Sequence, residues 1–214
     1  YRSFRHWVFS MLEAPRDFVV ISGHTGTGKT EVLHLLEKAN ANVIDLEGLA
    51  NHKGSALGGL GLPAQPKNEQ FENLIAISLL RCKPNQPVFI ENESRTIGHC
   101  AVPQGLWERM QVARFIELNV DRDTRIQRIL LEYGTFPIED LKTQTQKLRK
   151  RLGGQHEQAA ILALEEGNLK HWVELLLVYY DKSYTHFLEK HKIDHENELP
   201  MTDPWIEFSY PDVT

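Results

Sequence analysis

The run Ile-Ser-Gly-His-Thr-Gly-Thr-Gly-Lys-Thr-Glu-Val-Leu, residues 21–33, constrains the fold more than any other stretch of the chain. A β-prone apolar run (Phe18, Val19, Val20, Ile21) enters a turn made of Gly23, His24, Thr25, Gly26, Thr27, Gly28, Lys29 and Thr30. A helical spacing of apolar residues (Val32, Leu33, Leu35, Leu36) leaves it. This is the G-x-x-x-x-G-K-[ST] pattern of a phosphate-binding P-loop, in the strand–turn–helix context that the pattern requires. The glycines let successive backbone N–H groups face a phosphate. The helix start adds orphan donors and the positive end of a dipole. Lys29 supplies a mobile charge, and the Thr30 hydroxyl is of the type that ligates Mg²⁺. The motif leaves open whether the phosphate belongs to a nucleotide.

The rest of the chain continues the α/β alternation. Residues 4–13 read as a helix ended by Pro15, 17–22 as a buried strand, and the helix after the turn reaches about Ala39. "ANVIDLEG" reads as a second strand ending in Asp45 and Glu47, followed by a flexible glycine-rich loop, residues 51–63. A helix over 69–82, a strand "VFIENES", a short helix over 103–111 and a strand "ARFIELNV" follow. Strands alternating with helices imply a parallel sheet flanked by helices, whose ligands sit at the carboxyl ends of the strands. The expected class is therefore a P-loop NTPase-like α/β core with a C-terminal helical extension. From Asp121 to about Lys192 the pattern is helical, and its first part is basic. After His195 the tail is acidic, and "WIEFSY" reads as a short edge strand.

Several constellations carry candidate chemistry. Asp45, Glu91 and Glu93 end strands beside the P-loop and are candidates for Mg²⁺ or for holding Lys29, with Thr30 and Glu91 as the metal ligands. Lys53 and Ser55 lie in the glycine-rich loop, and Arg95 follows the third strand; each is a candidate substrate or RNA contact. Arg125 and Arg128 are i, i+3 neighbours on one helix face and could close over phosphate. "KLRKR", residues 147–151, could instead meet an RNA backbone or be an ordinary solvated face. A net charge of −5 argues against a generally basic nucleic-acid coat but not against a local patch. The two cysteines, Cys82 and Cys100, lack metal-ligand spacing and point to a reducing cytoplasm. No run approaches the roughly 18 apolar residues of a membrane span.

Taken in order, "GHTGTGKTEVL", "VIDLEGLANHKGSALG", "NEQFEN", "FIENESRTIG", "RILLEYG" and "KLRKRLGGQ" resemble the P-loop domain of the tRNA 2-selenouridine synthases. "LEGLANHKGS" and "ENESRTIG" are far more particular than the P-loop. The resemblance implies residues 1–14 as a connector from an absent rhodanese-like domain that carries a selenium-transferring cysteine. It also implies a P-loop core over 15–121, a basic helical lid over 122–194 and an acidic tail over 195–214. The implied substrate is tRNA with wobble 2-thiouridine, S-geranylated with geranyl diphosphate and then converted with selenophosphate, with Mg²⁺ and without a nucleotide. Gly23 through Thr30 would bind phosphate, with Lys29, Asp45, Glu91 and Glu93 as the catalytic set. Leu57, Leu60 and Leu62 would wall a geranyl groove. A small-molecule kinase or NTPase and a non-catalytic tRNA-binding module are the competing readings.

Overall fold

The computed structural model describes residues 1–192, apart from the side chains of a few residues near the end of the last helix; the acidic tail and "WIEFSY" lie outside the described residues. The described chain is a parallel sheet flanked by helices, followed by further helices. Its elements are α1 (Arg2–Glu13), β1 (Phe18–Gly23), α2 (Lys29–Lys38), β2 (Asn42–Ile44), α3 (Leu46–Ala50), α4 (Asn68–Arg81), β3 (Val88–Glu91), β4 (Thr96–Ile97), β5 (Cys100–Ala101), α5 (Gln104–Gln111) and β6 (Arg114–Leu118), then α6 (Arg122–Tyr133), α7 (Ile138–Lys147), α8 (Arg149–Leu152), α9 (Gly154–Glu165) and α10 (Leu169–Lys192).

Four strands form the main sheet in the order β2-β3-β1-β6, all parallel. β1 is buried at every position, which fits an inner strand covered on both faces. Its register pairs Ile21 with Glu91 on one side and Ile116 on the other. The turn after β1 thus opens where strand order reverses, the usual ligand position in such sheets.

Two apolar clusters hold the molecule. One joins Val8 and Leu12 of α1 to Phe71, Ile75 and Leu79 of α4 and to the sheet residues Val20, Ile44 and Ile90. Arg109 ties α5 to the end of α1 through the carbonyls of Leu12 and Ala14, and Arg5 pairs with Glu72. α1 is therefore packed into the core. The second cluster is built by α6, α7, α9 and α10 around Trp172, whose indole N–H donates to Thr145 Oγ1 at 3.0 Å. Leu57, from the glycine-rich loop, is 3% exposed and belongs to this helical cluster.

Three local readings need correction. The second strand stops at Ile44, because Asp45 caps α3: its carboxylate accepts the Gly48 N–H at 2.7 Å. Such a cap is worth about 1 kcal/mol and outcompetes one more strand residue at this position. The third strand ends with Glu91 inside it, so Glu93 does not extend a strand face. The short antiparallel hairpin of β4 and β5 was not expected; Gly98, at φ +59°, permits its tight turn. The glycine-rich loop is also less loose than its composition implies, since Ala56 N–H donates to Tyr180 Oη at 3.1 Å.

Candidate functional site

The P-loop is shaped by its own side chains as much as by its glycines. Thr27 is buried, and its hydroxyl donates to the His24 carbonyl at 2.8 Å, closing the turn. Gly26 and Gly28 sit at φ +83° and +86°, a region where a side chain is strained. At Gly28 a Cβ would also overlap the Arg128 guanidinium. Lys29 Nζ lies over the loop, donating to the Gly23 carbonyl at 3.1 Å and the His24 carbonyl at 3.5 Å. Gly23, Thr25, Gly26, Gly28, Lys29 and Thr30 line a cavity of about 930 Å³.

His24 turns away from that cavity. Its Nδ1 is 3.1 Å from Asp181 Oδ1 on α10, and its ring lies 4.3 Å from that of Tyr184. Burial and the neighbouring Arg125 charge hold its pKa below the ordinary histidine value, against the pull of Asp181.

The two arginines of α6 separate sharply. Arg125 is 4% exposed; its Nε donates to the Thr25 carbonyl at 2.9 Å, and its guanidinium pairs with Asp181. Arg125 is thus enclosed beneath the P-loop, bracing it against α10, and does not reach the cavity as a phosphate contact would. Arg128 does line the cavity, against Gly28. The i, i+3 spacing puts both on one face, but α10 packs over the first and leaves the second at the cavity.

The acids sort in the same way. Thr30 Oγ1 donates to Glu47 Oε2 at 3.2 Å. Glu47 and Glu93 converge under Gly54, whose φ of +60° and missing Cβ let the loop lie directly on both carboxylates. Burial, then the neighbouring Glu93, raises the Glu47 pKa, with Lys29 opposing. Burial likewise raises that of Glu93. Glu91 is 1% exposed and accepts the Glu47 backbone N–H at 2.7 Å. Burial, then the Asp45 charge, holds its pKa well above the ordinary range. Its Oε2 is buried with no hydrogen-bond partner among the described residues. Glu91 therefore orients Glu47 from behind, and Glu47 is the carboxylate at Thr30. Asp45 lines the cavity, but its oxygens are engaged by Gly48 N–H and by His34 Nε2 at 3.2 Å.

The glycine-rich loop forms another wall. Lys53 pairs with Glu132 and lies 5.8 Å from the Tyr133 ring centroid, and the Ser55 hydroxyl accepts the Leu57 N–H at 3.2 Å. Both Lys53 and Ser55 line the cavity. Arg95 does not: its side chain is exposed and its carbonyl accepts the Val102 N–H at the base of the β4–β5 hairpin. Beside the P-loop, where Ile129 packs against Gly26, the wall turns apolar and aromatic, with Leu57, Tyr133, Leu176, Leu177 and Tyr180. Leu62 also lines the cavity, whereas Leu60 packs against the helical cluster. The aromatic wall escaped sequence reading, although Val173, Leu176, Leu177, Tyr180 and Tyr184 share a helical stripe; such stripes usually mark core.

Mg²⁺ commonly uses one or two carboxylates, with waters and substrate phosphates completing its shell. Among the described residues no group of three or more His, Cys, Asp or Glu is arranged as an all-protein metal cage. The Thr30 hydroxyl and the Glu47 carboxylate, crowded by Glu93, fit the sparser kind of site.

The raised acid has a consequence for stability. Folded protein retains a proton on Glu47 up to about pH 9, whereas the unfolded chain releases it near 4.5. Native protein then binds more protons than unfolded protein in that window, so stability falls as pH rises through it. In metal-free buffer, the melting temperature of Glu47→Gln is expected to fall less between pH 5 and pH 9 than that of the wild type. Parallel curves would show that Glu47 ionises normally.

A glycine-rich strand-to-helix turn at the carboxyl edge of a parallel sheet, with Lys29 folded over it and Thr30 against an acid, defines a P-loop protein of the α/β class. The family model described as the tRNA 2-selenouridine synthase AAA domain matches residues 16–198, and the chain belongs to that family. It is 35% identical to the tRNA 2-selenouridine synthase of Shewanella frigidimarina, over 89% of this chain and 60% of that protein. The corresponding protein of Marinobacter nauticus is 35% identical over 88% of this chain and 59% of its own length. That of Pseudomonas fluorescens is 37% identical over 78% and 53%. The chain thus spans about 60% or less of the length of these relatives. No helix among the described residues is long and apolar enough to cross a membrane.

Proposed function

We propose that this chain is the diphosphate-handling part of a tRNA-modifying transferase that replaces sulfur by selenium in wobble 2-thiouridine. The observation that carries this reading is one continuous cavity with the P-loop, Lys29 and Arg128 at one side and Leu57, Tyr133, Leu177 and Tyr180 at another. That combination suits a substrate with a polyanionic head and an apolar tail, as in geranyl diphosphate. Mg²⁺, held by Thr30 and Glu47, would supply further neutralisation of phosphate charge when bound.

In the first step the thiocarbonyl sulfur of the base attacks the allylic carbon next to oxygen. The C–O bond breaks, its electron pair leaves with diphosphate, and the base N–H proton is lost to give S-geranyl-2-thiouridine. Loop N–H groups, Lys29 and Arg128 stabilise charge as it builds on the leaving oxygens. The tail rests on the α10 wall, which excludes water from the allylic centre. In the second step the selenium of selenophosphate attacks the same carbon of the base, the C–S bond breaks so that sulfur leaves with the geranyl group as geranylthiol, and water then cleaves the Se–P bond to release phosphate. A rhodanese-like domain elsewhere in the full protein would supply the selenium-carrying cysteine, and no nucleotide is consumed.

The test is to mix this chain with geranyl diphosphate and a 2-thiouridine RNA and follow diphosphate and S-geranyl nucleoside together. Equal yields of the two, with no ATP or GTP turnover, are expected. Nucleotide hydrolysis without any response to the prenyl substrate would overturn the reading in favour of a kinase or NTPase.

A further inference from the structure

The basic residues of this acidic chain fall into two groups. Five are matched to acids in the described structure: Arg5 to Glu72, Lys53 to Glu132, Arg114 to Asp17, Arg125 to Asp181 and Lys142 to Glu139 and Glu165. The stretch around α8 differs in packing its unmatched cations side by side in one short run. Leu148 is buried and Leu152 half-buried, both facing the helical cluster, so the turn can only present Arg149, Lys150 and Arg151 outward. All three are exposed, and none has a carboxylate partner among the described residues. Lys147, at the end of α7, is exposed as well and donates only to the neutral Gln144 at 2.8 Å.

Concentrating cations without counter-charges is unfavourable for folding, because like charges repel and no pairing offsets it. The place is informative. Arg151 lines the cavity and acts electrostatically on Tyr180 of its aromatic wall, while Arg149 and Lys150 lie outside it. Arg151, Lys53, Arg128 and Lys29 together carry positive charge from the rim to the P-loop. Beside the rim, a Cβ placed on Gly153 or Gly154 meets nothing within 4 Å, so a bulky partner can approach.

We propose that α8, with Lys147, is the docking rim for the RNA sugar–phosphate backbone. It holds the strand at the cavity mouth so that one unstacked base enters between the α10 tyrosines and the P-loop. The inference deepens the tRNA-modifying role proposed above and rests on it. The argument for RNA over an acidic protein is the adjoining cavity: single-stranded recognition couples backbone cations to aromatic faces for unstacked bases. Tyr180 provides such a face beside Arg151.

The experiment measures binding of an anticodon stem-loop carrying wobble 2-thiouridine at several salt concentrations. The proteins are the wild type, a variant combining Lys147→Gln, Arg149→Gln, Lys150→Gln and Arg151→Gln, and the milder double variant Arg149→Gln/Lys150→Gln. A control combines Lys38→Gln with Arg81→Gln, at the C-terminal ends of α2 and α4 and so at the opposite edge of the sheet. Geranyl diphosphate affinity is measured in parallel. The fourfold variant is expected to bind RNA at least about tenfold more weakly, with the slope of log affinity against log salt shallower by about 3 at 0.7–0.9 per lost phosphate contact. The double variant should lose about half of that slope, the control should match the wild type, and prenyl diphosphate affinity should be unchanged in the double variant and the control, whose substituted residues lie outside the cavity. RNA binding by the double and fourfold variants equal to wild type overturns the docking rim and leaves the proposed function standing. A wild type that binds geranyl diphosphate but no RNA overturns both this inference and the RNA part of that function.

Discussion

Lys29→Ala is expected to reduce diphosphate release from geranyl diphosphate by about 10²–10³-fold, the size of effect seen when one preorganised charge-stabilising donor is removed, about 3 kcal/mol or more of barrier. Lys29 Nζ is already positioned over the loop by the Gly23 and His24 carbonyls. Little reorganisation is therefore needed when charge builds on a leaving diphosphate. Those carbonyls are backbone groups of a turn shaped by Gly26, Gly28 and Thr27, so the substitution leaves the turn itself intact. RNA affinity and melting temperature should change little. A rate within threefold of wild type would mean that the P-loop only shapes the fold, as the non-catalytic tRNA-binding reading requires.

The second large effect divides the α6 arginines. Arg125→Ala removes a buried guanidinium, orphans the Thr25 carbonyl and leaves Asp181 without its strongest partner. Breaking a largely buried pair on one side costs about 3–5 kcal/mol. Asp181 is partly exposed, so about 2–4 kcal/mol is expected, roughly 4–16 °C of melting temperature for a chain of this size. Arg128→Ala should cost far less stability and instead raise the KM for the prenyl diphosphate by about tenfold or more, since its guanidinium rests against Gly28 in the cavity. Paired measurements of melting temperature and KM check both. Equal melting temperatures for the two variants would contradict the placement of Arg125.

What was legible in the sequence was what local chemistry dictates. The P-loop depends on residues within one turn, so its strand, turn and helix follow from consecutive letters, as does the parallel α/β class. What escaped depends on contacts across the chain. Asp45 and Glu47 look equivalent at a strand end, but the shorter side chain is captured by the Gly48 N–H of its own helix while the longer one reaches Thr30. Arg125 and Arg128 look equivalent on α6, yet α10, more than 50 residues later, encloses only the first. Glu91 reads as a metal ligand by position, but it is enclosed and spends one oxygen on the Glu47 backbone. The aromatic wall has no local signal distinct from core, because the same apolar stripe serves both.

The central claim, that the P-loop grips the diphosphate of a prenyl substrate whose tail lies on α10, is tested most directly by a crystal structure with the thiodiphosphate analogue of geranyl diphosphate. The expected result places the diphosphate within hydrogen-bond reach of the loop N–H groups and Lys29 Nζ, with the tail against Leu57, Leu177 and Tyr180. A structure in which the analogue binds elsewhere, or in which the loop takes the diphosphate while the tail points away from α10 into solvent, would contradict it.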